Sequence, residues 1–63
     1  MDTTQRKIMQ FFAERPYISV YKFAEVCGIH SQTLYRVSKG LATPQKSTVR
    51  LLSIEMEKNG YKL

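Results

Sequence analysis

An all-α fold of about four helices is predicted from three observations. Apolar residues recur at intervals of three and four along most of the chain, and nothing alternates with period two over strand length. The periodic stretches are bounded by capping residues, glycines and prolines. Sixty-three residues, without repeats, low-complexity tracts or linkers, make one small domain spanning 1–63. At that size a single apolar core rarely supplies more than about 3–5 kcal/mol, so such folds usually gain stability from a partner.

The first helix is expected over 4–14, entered from Asp2 or Thr3, with Ile8, Phe11 and Phe12 on one face. Arg15-Pro16 ends it, because the residue before a proline disfavours helical geometry. Ser19 suits the N-cap of a second helix reaching about Cys27. Within it Ala24 and Gly28 are four apart; the small side chain lets another helix cross closely, and the glycine permits the positive φ of a tight interhelical turn. Ile29 falls in that turn, and Phe23 and Cys27 fill inward sites.

A third helix is expected from about Ser31 to Lys39, with Leu34 and Val37 as its buried stripe, and stops at Gly40. Its N-cap is His30, with Ile29 and Leu34 as a hydrophobic staple, or Ser31, the better capping type. Leu41 to Pro44 form a loop. The fourth helix starts at Gln45 or Lys46 and runs to Lys58, where Asn59-Gly60 form a C-terminal cap before the short tail Tyr61-Lys62-Leu63.

Composition narrows the function. Cys27 is the only cysteine and fits a small buried hydrophobe, so disulfides are not expected. One His and one Cys, three apart, fall short of a four-ligand metal site. No run approaches the roughly 18 apolar residues of a membrane span, and MDTTQRKIMQFF mixes acids and bases unlike a signal peptide. There is no paired-carboxylate or nucleophile–base arrangement, and too little chain to enclose a pocket, so an enzyme is not expected. No cofactor, metal or small-molecule ligand is expected either.

The net charge of +5 is unevenly spread. Lys22, Arg36, Lys39, Lys46 and Arg50 face Glu25 alone over residues 20–50, whereas the last thirteen residues balance to zero. The basic excess therefore coincides with the second and third helices and the start of the fourth, as expected of a surface meeting phosphates. A merely solvated basic surface is the alternative.

At about 100° per residue, the side of the third helix opposite Leu34 and Val37 holds Gln32, Arg36 and Lys39, with Tyr35 on one flank and Ser31 at the start. Thr33 falls nearer the core and is expected to be half-buried. Gln32 and Arg36 lie one turn apart, and these types suit a major groove: Arg bidentate to guanine, Gln bidentate to adenine. Ser31, Gln32, Tyr35 and Arg36 are the candidate base contacts. His30 divides between local capping and a base or phosphate contact. Candidate phosphate contacts are Ser19, Tyr21 and Lys22 at the start of the second helix, and Lys39, Thr43, Lys46 and Ser47 around the later loop. Tyr21 is equally suited to packing, and Arg50 either joins the group or simply solvates the last helix.

From Tyr17 to Leu52 the chain resembles the phage repressor and Cro-like helix-turn-helix family. The residues that carry the resemblance are FAEVCGIHSQTLYRVSKG followed by TPQKSTVRLL, in which a glycine and a later proline lead to a helix with the Thr48-Val49 pair. The resemblance implies a lambda-repressor-like bundle and transcription regulation by operator binding, in the cytoplasm of a bacterial cell or phage-infected host. It places base reading at Ser31, Gln32 and Arg36. A glutamine that often anchors a phosphate at the first motif position is replaced by Val20, so Ser19 or Lys22 takes that role. The family usually has five helices; room for four favours its minimal, Cro-like end.

A homodimer on double-stranded DNA is expected, since one helix covers few base pairs and a two-fold pair spaces half-sites by roughly 34–36 Å. Val49, Leu52 and Met56 form one stripe of the last helix and Leu51 and Ile54 another. Leu51, Ile54, Tyr61 and Leu63 are the candidate dimer contacts, unless both stripes are buried within the monomer. Two other readings fit the same residues: an excision or transposition accessory protein that shapes DNA, and a small basic adaptor for an acidic protein.

Overall fold

The structure, a computed structural model, describes residues 2–63. Four α-helices make up all the regular secondary structure among them: α1 Thr3–Glu14, α2 Val20–Cys27, α3 Ser31–Ser38 and α4 Lys46–Lys58. The boundaries follow from local chemistry. Asp2 caps α1, its side chain accepting from the Gln5 amide at 2.9 Å. Ser19 caps α2 by accepting from the Lys22 amide at 3.3 Å. Each removes one of the unpaired amides that a helix start otherwise exposes. α3 and α4 begin at His30 and Gln45 with no side-chain cap, so His30 holds the cap position by its backbone alone.

Gly28 ends α2 in the left-handed region at φ 77°, and the Ile29 amide then reaches back to the Ala24 carbonyl at 2.9 Å. That bond, with Gly28 N–H on the Glu25 carbonyl, closes a Schellman turn whose next residue, Ile29, drops into the core. The short connection Gly28-Ile29-His30 thereby sends α3 back across α2. Ala24 is fully buried, and α2 and α3 pack directly against each other.

Ile8, Phe11 and Phe12 from α1, Phe23, Ala24 and Cys27 from α2, Leu34 and Val37 from α3, and Leu52 and Met56 from α4 meet around Ile29 in one core. Phe11 is its centre, with the rings of Phe12, Phe23 and Tyr61 at 5.2 to 5.4 Å, tilted or edge-on as aromatic quadrupoles prefer. Burial raises the Cys27 thiol from its ordinary 9.0 to about 11; the Glu55 carboxylate adds to the rise and Lys58 offsets part of it. Cys27 is therefore a neutral, buried side chain, as its inward position in the sequence implies.

The C-terminal tail folds back onto the core. Gly60, at φ 77°, reverses the chain after α4, and Tyr61 N–H bonds the Met56 carbonyl at 2.9 Å. The reversal lays Tyr61 on Phe11 and lets its hydroxyl donate to the Lys7 carbonyl at 3.0 Å. The Arg15 guanidinium lies over both rings, 4.4 Å from Phe11 and 5.3 Å from Tyr61. Leu63 also packs against the core. Tyr61 and Leu63 therefore lie partly buried against the monomer's own core, whereas Leu51 and Ile54 are exposed on α4.

Candidate nucleic-acid interface

α3 is divided lengthwise. Leu34 and Val37 have no exposed surface, while Gln32, Tyr35 and Arg36 are exposed on the far side. Among the described residues neither Gln32 nor Arg36 has a side-chain hydrogen bond or ion pair, so an amide and a guanidinium stand one turn apart with their full donor sets uncommitted. Ser31 is half-buried at the helix start and His30 is exposed beside it.

Two residues flank the buried stripe at the same angle and differ in burial. Thr33 is exposed rather than half-buried, and Ser38 is buried, its hydroxyl donating to the Tyr35 carbonyl at 2.6 Å. Both lie about 70° from the centre of the buried stripe. The asymmetry comes from α1, which packs on α3. Met9, Phe12 and Ala13 border one surface groove together with Ser38 and Lys39, so α1 lies beside that end of the helix, while Thr33 in the first turn is exposed.

The candidate phosphate contacts fall into two groups. At the start of α2, Tyr21 and Lys22 are exposed and share a shallow depression with Ser31 of α3. The Ser19 hydroxyl is already engaged as the α2 cap. Tyr21 neither packs in the core nor stands alone: its ring stacks on Tyr35 at 5.8 Å, with planes 13° from parallel. Lys39, at the C-terminal end of α3, holds its ammonium 5.7 Å from the Tyr35 ring, within cation–π range.

Lys46 and Ser47 form the second group, in the first turn of α4, and share a surface depression with Arg50 and Leu51. Thr43 is exposed in the preceding loop. α4 starts with a lysine, no acidic residue in its first turn and no side-chain cap. A cation there opposes the positive end of the helix dipole, so the local field favours an anion. Val20 packs partly against the core.

Sequence reasoning misses two residues that support this surface. Gln5 is buried, and its amide donates to the Ala42 carbonyl at 2.6 Å, holding the α3–α4 loop against α1. Ser38 is the second. Both are polar types at the edge of an apolar stripe, Gln5 three residues before Ile8 and Ser38 one after Val37, where the helical angle leaves burial open and the tertiary approach of another element decides it.

Among the described residues no group of three or more His, Cys, Asp or Glu could hold a metal ion, and no helix is long and apolar enough to cross a membrane. Comparison with protein-family models, with curated proteins and with solved structures finds no match to this chain.

Proposed function

We propose that this chain is a sequence-specific, double-stranded DNA-binding regulator, a small helix-turn-helix repressor resembling the phage repressor and Cro-like family and acting in the cytoplasm. α2 braces the duplex backbone and α3 is the reading helix. Ser31, Gln32, Tyr35 and Arg36 meet base edges, with His30 at the groove margin. Lys22, Lys39, Thr43, Lys46 and Ser47 meet phosphates. The observation that carries the reading is the division of α3: an uncommitted Gln32–Arg36 edge lies directly opposite a fully buried Leu34–Val37 stripe. Charge supports it, since the basic excess lies over residues 20–50.

In this reading the protein acts as a dimer, because α3 alone spans too few base pairs for a specific site. Leu51 and Ile54 are exposed on α4 and are the main candidates for that contact, while Tyr61 and Leu63 pack partly against the monomer's own core. Selection of bound sequences from a random pool of duplexes tests the whole assignment. The expected result is a site of two inverted half-sites, centred one helical turn apart. Recovery of unenriched sequences would refute it and favour a basic adaptor for an acidic protein.

A further inference from the structure

The exposed surface beside the Gln32–Arg36 edge is aromatic. Tyr21, in the first turn of α2, and Tyr35, on α3, stack at 5.8 Å with nearly parallel rings although both are exposed, by 55% and 37%. Neither ring belongs to the buried cluster. The pair has thus lost side-chain freedom without adding to the core. What the stack achieves is orientation: it fixes one face of Tyr35 against α2 and leaves the rest of the ring beside Arg36, its neighbour in sequence, and Gln32, three residues earlier. Lys39 completes the cluster, with its ammonium 5.7 Å from the ring centre.

Base edges in the major groove present hydrogen-bonding groups and one apolar group, the C5 methyl of thymine. A fixed aromatic flank next to an amide and a guanidinium has that methyl as its complement. Resting on the DNA-reading assignment above, we propose that Tyr35 contacts a thymine C5 methyl in the target duplex, and that Tyr21 is a positioning residue that holds the Tyr35 ring in place for it. Tyr21 acts through its ring and not through its hydroxyl, so it determines base choice rather than contributing a phosphate contact.

The test uses the full chain and a duplex carrying its selected site, with each thymine replaced in turn by deoxyuridine, which lacks only the methyl. The wild type is expected to lose about fourfold in affinity at one position of each half-site, the value of one buried methyl group. Tyr35→Ala is expected to bind both duplexes equally there. Tyr21→Phe keeps the wild-type ratio, while Tyr21→Leu brings it below about twofold. Without DNA, Tyr21→Leu shifts the Tyr35 ring-proton resonances, because the neighbouring ring current is gone.

Uracil tolerance at every thymine by the wild type overturns the proposal and leaves the DNA-reading assignment standing. No preference for any duplex overturns both. A Tyr21→Phe variant that weakens binding to all duplexes alike, with Tyr21→Leu retaining the thymine ratio, overturns the positioning role and makes Tyr21 a phosphate contact.

Discussion

The side-chain amide of Gln5 donates to the carbonyl of Ala42 at 2.6 Å, joining α1 to the loop between α3 and α4 across 37 positions of the chain. Breaking a part-buried hydrogen bond of this kind costs about 0.5–1.5 kcal/mol. Gln5→Met keeps the length and removes the donor, so it is expected to lower the unfolding free energy by that amount in urea. An unchanged midpoint would mean that solvent replaces the amide.

Gly28 gives a cleaner test of backbone strain. A Cβ built there meets nothing within 4 Å, so any cost of substitution comes from φ 77° and not from a clash. Gly28→Ala is expected to destabilise by about 1–2 kcal/mol. Gly28→Asn should lose less, since asparagine tolerates the left-handed region. Equal losses in thermal or urea unfolding would contradict the conformational account.

The Cys27 thiol makes stability depend on alkaline pH. Its folded value of about 11 exceeds the ordinary 9.0, chiefly because burial disfavours the thiolate. The unfolded chain therefore gives up this proton first. Its contribution to stability is complete below pH 9 and is lost as pH rises toward 11. The difference in urea midpoint between the wild type and Cys27→Ala should narrow as pH is raised from about 8 to about 10.5. A constant difference would show that the thiol does not titrate differently in the two states.

For the proposed DNA contacts, Arg36→Ala is expected to cost about 1–3 kcal/mol and to relax preference at one base pair. Lys46→Ala is expected to weaken binding to all sequences alike and to reduce the salt slope by about one. Binding isotherms on selected and random duplexes at several salt concentrations separate the two. Equal losses on both duplexes from both variants would refute the division of roles.

Self-association is expected to depend on Leu51 and Ile54, exposed by 38% and 52% on α4. Ile54→Lys places a charge in that patch and should shift sedimentation toward the monomer while leaving helical content intact. A wild type that remains monomeric at high concentration, with and without DNA, would count against the interface.

Features that depend on neighbours along the chain are legible in the sequence itself. Ser19 caps α2, Gly28 takes a positive φ and Leu34 and Val37 face inward because capping, turn chemistry and helical period are local properties. Features set by a distant element are not legible there. Gln5 and Ser38 are interior because a loop and a helix approach them, and Thr33 is exposed because nothing does. In sequence, Tyr61 and Leu63 belong to a short tail; the turn at Gly60 is legible, but not that Phe11 and the Lys7 carbonyl receive the returning chain. In the candidate site, the exposure of Gln32 and Arg36 follows from helical angle alone. The Tyr21–Tyr35 stack joins two helices, and no local pattern encodes it.

The lengthwise split of α3 also bears on how such a protein can change. Gln32, Thr33 and Arg36 are exposed, while Leu34 and Val37 are wholly enclosed. Replacing the outer residues leaves the framework's folding free energy nearly untouched, within about 0.5 kcal/mol for ordinary surface substitutions. Under the proposed DNA-reading function, new target preferences are then accessible by mutation of that strip alone, with no compensating change beneath it.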